Sequence, residues 1–208
     1  MLILQKFSSI GNLVKYVFDR VAAFTALVLL SPLLFVVAVL VRFTSPGPVL
    51  FRQQRVGRHG KLFTLVKFRT MRINDGTNTV TARNDPRITP LGAFLRRSKI
   101  DELPELWNVL IGEMSFVGPR PDVPGYADRL EGDSRRILLM RPGITGPASL
   151  KYYNEEEILA GQPDPSAYND RVIFPDKVRI NLHYMDNQSF AGDIRIILQT
   201  LFRKHDGQ

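Results

Sequence analysis

The chain has 208 residues, 44% of them hydrophobic, and a formal net charge of +8. That length allows one domain plus an appendage, with a sizeable buried core. With no cysteine, disulfide frameworks and thiol chemistry are excluded, and the positive charge suits an anionic partner such as a nucleotide, a nucleic acid or a membrane surface.

The first pronounced feature is an uncharged apolar run, VAAFTALVLLSPLLFVVAVLV, from Val21 to Val41. As straight helix it is long enough for the ~30 Å hydrocarbon core of a bilayer, and it predicts membrane association. Ser31-Pro32 lies in its middle. Pro32 cannot donate its backbone N–H and crowds the preceding turn, which predicts a kink; the Ser31 hydroxyl can serve a carbonyl freed there. Both flanks are basic, with Lys6, Lys15 and Arg20 before the run and Arg42, Arg52, Arg55, Arg58 and Lys61 after it. Because basic flanks favour the cytoplasmic side, the expected course is a kinked re-entrant helix that enters and leaves on one face. An ordinary kinked spanning helix is the alternative.

A turn-rich joint follows at Thr44 to Pro48. Val49 to Phe51 and Lys61 to Phe68 are β-like runs around Gly57 to Gly60 and predict a small hairpin, whose end carries the cations Lys67 and Arg69. Residues 74–90 are polar and rich in turn formers, and are expected to form a surface loop.

The stretch RRSKIDELPELWNVLIGEMSFVGPRP, Arg96 to Pro121, is the densest in chemistry. Leu106, Trp107, Leu110 and Ile111 share one face of a short helix that Pro104 opens and Gly112 ends. Trp107 is expected to pack rather than stack on a base. Asp101 and Glu102 fall at the mouth of this helix, among Arg96, Arg97, Lys99 and Arg120. Two acids among four cations at a helix start can hold phosphate and a divalent metal together. Ser98 and Asp101 also have capping-box spacing, so from spacing alone Asp101 is equally a cap.

The two prolines around Arg120 restrict its backbone and aim its guanidinium. Tyr126 to Met140 is expected to be a helix with Leu130, Ile137 and Leu138 inward. RPGITG, Arg141 to Gly146, is a second rigid loop bearing a cation. Neither loop matches a Rossmann or P-loop glycine pattern. Ile194, Ile197, Leu198, Leu201 and Phe202 form a helical stripe, which either lies in a membrane interface or packs on the core. His59, His183 and His205 lack metal-ligand spacing.

KFRTM at 67–71, IDELPELWNVLIGEMSFVGPRP at 100–121 and RPGITG at 141–146 resemble the bacterial sugar transferase family, the monotopic phosphoglycosyl transferases. The membrane run with Ser31-Pro32 and the tail YMDNQSFAGDIRIILQT at 184–200 are similar too, so the likeness covers nearly the whole chain. The resemblance implies transfer of a phospho-sugar from a UDP-sugar to polyprenyl (undecaprenyl) phosphate at the cytoplasmic face of the bacterial inner membrane. The products would be polyprenyl-diphospho-sugar and UMP. It implies Asp101 as the nucleophile of a covalent phospho-sugar intermediate, Glu102 as its partner in metal binding or proton transfer, and Mg²⁺ as cofactor. Arg96, Arg120, Arg141, Lys67 and Arg69 are the expected phosphate-binding cations, and Ser31 and Pro32 the membrane hairpin.

Positions 145–153 read TGPASLKYY, where many members continue into a Gln-Val-Asn-Gly-Arg-like run. That departure touches sugar specificity and not the dyad. The expected fold is α/β, mostly helical, with a small antiparallel hairpin and no Rossmann domain. Residues 1–43 would form the membrane-associated segment and 44–208 a cytoplasmic catalytic domain with interfacial helices. Cations gathered around paired acids, rather than along an aromatic-lined face, argue against a nucleic-acid partner. A metal-dependent phosphohydrolase and a non-catalytic membrane scaffold are the alternatives.

Overall fold

A computed structural model describes residues 9–72 and 86–202, with side chains from Leu13 onward. Helix α1 (Ser9–Thr44) carries the apolar run and remains one helix through Pro32. Pro32 removes the hydrogen bond that its N–H would give to the Val28 carbonyl. The Ser31 hydroxyl takes that place, donating to the Val28 carbonyl oxygen at 2.8 Å. This helix is long and apolar enough, by length and composition, to cross a membrane.

One stripe of α1 packs on the rest of the chain. Ala23, Ala26, Leu27 and Leu30 meet Phe63, Leu65, Leu106 and Val109; Leu34, Val37, Ala38 and Val41 meet Phe68 and Leu95. These positions recur at three- and four-residue spacing, the signature of one helix face. Alanines at 23 and 26 let the neighbouring backbone approach closely. The opposite face leaves Val21, Phe24, Val28, Leu29, Phe35, Val36 and Phe43 exposed.

The start of α1 is tied down by a buried polar network. Lys15 Nζ lies 2.6 Å from the Asp193 carboxylate and donates to the Val117 carbonyl at 3.1 Å. The Ser115 hydroxyl donates to Asp19 at 2.7 Å, and the Tyr184 hydroxyl to Asp193 at 2.5 Å. The body therefore grips α1 near both ends.

The predicted hairpin is present as β1 (Leu50–Val56) and β2 (Leu62–Phe68), antiparallel with Leu50 opposite Phe68. Strand β1 runs five residues past Phe51, through polar positions that carry no strand periodicity. Helix α2 (Pro90–Arg97) starts on Thr89, whose hydroxyl accepts from the Gly92 N–H at 2.9 Å. A side chain at Gly92 would put its Cβ 1.9 Å from the Thr70 carbonyl oxygen, so glycine is what lets α2 dock beyond β2. Helix α3 (Glu105–Ile111) ends at Gly112 with φ +86°, the predicted stop.

Strands β3 (Ser115–Val117) and β4 (Gly143–Thr145) pair in parallel. The loop around Arg120 and the RPGITG loop thus brace each other, with Gly143 N–H donating to the Pro119 carbonyl at 2.8 Å. The expected helix over 126–140 is instead two 3₁₀ segments, Ala127–Arg129 and Gly132–Leu139. Gly132, which opens the second segment, sits at φ +56°, outside right-handed helix. Ile137 and Leu138 are buried as expected. Trp107, expected to pack, is 52% exposed, and Phe94 and Ile111 are exposed too.

The chain closes with α4 (Pro147–Lys151), α5 (Glu155–Ala160), α6 (Pro165–Tyr168), a π-turn over Asn169–Ile173, α7 (Phe174–Asp186) and α8 (Phe190–Leu201). The stripe of α8 is divided: Ile197 packs on Met140, Tyr184 and Met185, while Leu198, Leu201 and Phe202 are exposed. The two paired sheets are the sheets among the described residues. Most of the expected loop at 74–90, and His205, lie outside those residues.

Candidate active site

Three distant segments bring charge to one point. After α2 the chain turns back at Lys99, a non-glycine residue in left-handed backbone with φ 56°. The reversal sets a 3₁₀ turn, Ile100–Glu102, against the end of β2. Asp101 points inward and is buried. Its neighbour Glu102 is gripped from both sides: Lys67 of β2 reaches its Oε1 at 3.0 Å and Arg120 at 2.5 Å. Lys67 also reaches Glu105, the first residue of α3, at 3.1 Å. Arg55 of β1 holds the Arg120 loop in place by donating to the Pro121 carbonyl at 3.1 Å.

The two carboxylates of the dyad are driven apart electrostatically. Burial raises the Asp101 carboxyl to about 6, with the Glu102 charge adding to the rise and Lys67, Lys99 and Arg96 opposing it. Burial also acts against the Glu102 charge, but Arg120 and Lys67 outweigh it and hold that carboxyl well below the usual range. Glu102 in turn raises the Arg120 guanidinium. Neighbouring acids with opposed shifts divide roles: one is a fixed charge, the other titrates near neutrality and is available for chemistry.

Asp101 is not a cap. Neither the 3₁₀ turn nor α3 has a side-chain capping bond, and the Ser98 hydroxyl donates to the Phe94 carbonyl instead. Asp101 Oδ1 is buried with no hydrogen-bond partner among the described residues. An uncompensated buried carboxylate oxygen is costly, which marks a position kept for something other than stability.

The other expected site residues are placed as follows. Arg96, at the end of α2, pairs with Glu156 at 3.0 Å, and its charge favours the ionised form of Asp101. Lys67 and Arg120 pair with Glu102 of the dyad. Arg69 donates to the Ser45 and Pro46 carbonyls at 2.7 and 2.6 Å, bracing the joint after α1. Arg141 stacks its guanidinium on the Tyr16 ring, 3.7 Å from the centroid, and keeps one buried nitrogen unpartnered. Ser31 and Pro32 are in α1, as described.

Three residues were not read as part of the site. Glu105 is buried in an apolar helix pattern, and its one signal was a charge just after Pro104. Arg55 and Asp122 meet only through the fold: burial raises Asp122 to about 6, with Lys177 and Arg55 opposing.

The donor set fits a hard divalent cation. Such an ion is usually held by one or two carboxylates plus substrate phosphates. Asp101 offers an orphaned oxygen; among the described residues no group of three or more His, Cys, Asp or Glu is gathered as a metal site.

Residues 10–206 match the family model described as bacterial sugar transferase. The chain is 39% identical over 202 residues to the Escherichia coli K12 protein named UDP-glucose:undecaprenyl-phosphate glucose-1-phosphate transferase, covering 94% of this chain and 41% of the relative. It is 40% identical over 196 residues to the exopolysaccharide production protein PSS of Rhizobium leguminosarum, covering 90% of this chain and 92% of the relative. Identity to the UDP-galactose-lipid carrier transferase of Erwinia amylovora is 35% over 223 residues, 98% of this chain and 43% of the relative. The chain thus spans about two-fifths of the Escherichia coli and Erwinia proteins and nearly all of PSS. A family match across almost the whole length, together with the dyad in its ring of cations, leads to one conclusion: this chain belongs to the bacterial sugar transferase family.

Proposed function

We propose that this protein transfers a phospho-sugar from a UDP-sugar to polyprenyl phosphate at the cytoplasmic face of the bacterial inner membrane. The observation that carries the reading is Asp101, a buried carboxylate with an orphaned oxygen and a raised pKa, beside a neighbour whose charge is fixed by Lys67 and Arg120. The names of the relatives, which specify UDP-sugars and undecaprenyl phosphate, support the substrate classes.

In this reading Asp101 attacks the β-phosphorus of the donor. A bond forms between its carboxylate oxygen and phosphorus, and the bond to the bridging oxygen breaks. UMP leaves with that electron pair. The polyprenyl phosphate oxygen then attacks the same phosphorus and returns Asp101 as carboxylate, giving polyprenyl-diphospho-sugar. Two steps suit substrates drawn from water and from lipid. The main barrier is charge, because an anion must approach a diphosphate. Arg96, Lys99 and Arg120 line that approach and would neutralise it as the transition state forms. Glu102 keeps Arg120 and Lys67 oriented. Mg²⁺ would be held by Asp101 and Glu102 with the donor's diphosphate, and when bound supplies further charge neutralisation.

The membrane course proposed for α1 is re-entrant, bending at Ser31-Pro32. Its support is that both halves of the helix pack on the same body and that the Val28 carbonyl released by Pro32 already has the Ser31 hydroxyl, so a bend leaves no polar group unpaired. The test of function is UMP release from a panel of UDP-sugars, with and without undecaprenyl phosphate. Multiple turnovers only with the lipid support transfer; turnover without it would make the protein a phosphohydrolase, and no release would leave a scaffold.

A further inference from the structure

The acidic stretch Glu155-Glu156-Glu157 and the aromatic pair before it have no role in the chemistry above. The segment is pinned to α7 on both sides. Lys151 and the Tyr152 hydroxyl reach the Asp176 carboxylate at 2.6 and 2.8 Å, and Glu155 reaches Lys177 at 2.5 Å. Tyr153, between these anchors, and Glu156, just past the second, meet cations that precede the dyad. The Lys99 ammonium lies 5.9 Å from the centre of the Tyr153 ring, and Arg96 lies 3.0 Å from the Glu156 carboxylate. Lys99 and Arg96 are two of the three cations that oppose the pKa rise of Asp101. The segment therefore borders, from outside, the two cations that precede the dyad in the turn leading to Asp101.

We propose that Tyr153 and Glu156 form the wall that reads the sugar of the nucleotide donor. The inference rests on the transfer reading above. A phosphoryl group on Asp101 lies among Arg96 and Lys99, and the sugar hangs from it by one oxygen. The ring must then fall next to whatever borders those cations on the outer side. The border has the two chemistries a hexose needs. The ring of Tyr153 offers an apolar face for sugar C–H groups, and the Glu156 carboxylate accepts from sugar hydroxyls, which donate. Glu156 is free to do so because its side chain is 60% exposed against 24% for Arg96. An exposed ion pair of this kind holds weakly, so a donor diphosphate can take over Arg96 and leave the carboxylate to the sugar.

The test measures kcat/KM for UMP release by the full chain in detergent, with undecaprenyl phosphate and UDP-glucose, UDP-galactose and their N-acetylated counterparts. Inhibition by UDP, which has the nucleoside diphosphate and lacks the transferred hexose, is measured alongside. For Glu156→Gln and Tyr153→Leu the ratio between the preferred donor and its C4 epimer should fall at least about tenfold, the scale of one charged hydrogen bond. The UDP inhibition constant should stay within about twofold, and Glu156→Asp should recover part of the ratio. Unchanged ratios, a shift in UDP inhibition as large as the shift in kcat/KM, or a wild-type enzyme without preference would each overturn the inference while leaving transfer intact. UMP release from none of the donors by the wild type would overturn the transfer reading and this inference with it.

Discussion

Replacing the proposed nucleophile should make the fold more stable. Asp101 has a pKa raised from 3.8 to about 6 in the folded chain, chiefly by burial. A carboxyl raised on folding favours the folded state only while it is protonated. That benefit is complete below about pH 3.8 and is lost as pH rises through about 6. At neutral pH the folded chain therefore carries a penalty of about 3 kcal/mol. Asp101→Asn has no charge to desolvate. It should gain up to about 3 kcal/mol at about pH 7.5, and roughly half that at about pH 5. For a chain of this size the neutral-pH gain corresponds to roughly 6–12 °C in Tm. The assay is thermal unfolding of detergent-solubilised wild type and variant across that pH range. A variant no more stable at about pH 7.5, or a gain that does not shrink on acidification, would refute the assignment of Asp101 as an uncompensated buried acid.

The same titration should appear in catalysis: the acid limb of kcat/KM should have its midpoint near 6 and move upward in Lys99→Met, which removes a charge that favours the ionised form. A midpoint unmoved by Lys99→Met would separate activity from Asp101. Lys15→Met leaves Asp193 buried without its cation and should cost about 3–5 kcal/mol, read as a fall in Tm, with much of the loss recovered by adding Asp193→Leu. Chelation should abolish UMP release and added Mg²⁺ should restore it; undiminished turnover in excess EDTA would remove the metal from the mechanism.

What could be read from the sequence was local. Gly112 after an apolar stripe marks the end of α3, and KLFTLVKF marks β2, because turn chemistry and periodicity act within a few residues. The dyad was legible for the same reason, as adjacent acids among cations. Its function as a charged pair was not, because Lys67, Glu105 and Arg120 converge from β2, α3 and the β3 loop. Arg69 and Arg141 show the reverse. In sequence they resemble Arg120, but one is committed to the carbonyls of Ser45 and Pro46 and the other to the ring of Tyr16. Gly132 takes a positive φ that glycine permits but does not require, so the helix expected over 126–140 became two 3₁₀ segments, the second opening on Gly132. Nothing local in the sequence tells Tyr153 and Glu156 that Lys99 and Arg96 lie opposite.

The central claim is that Asp101 itself takes the phospho-sugar. The direct measurement is rapid quench of the full chain with its UDP-sugar in the absence of polyprenyl phosphate, followed by mass spectrometry of the peptide bearing residues 100–102. The account predicts an adduct of one phospho-sugar on Asp101, formed together with one equivalent of UMP, discharged by added undecaprenyl phosphate, and absent in Asp101→Asn. An adduct on another residue, or persistent labelling of Asp101→Asn, would contradict it.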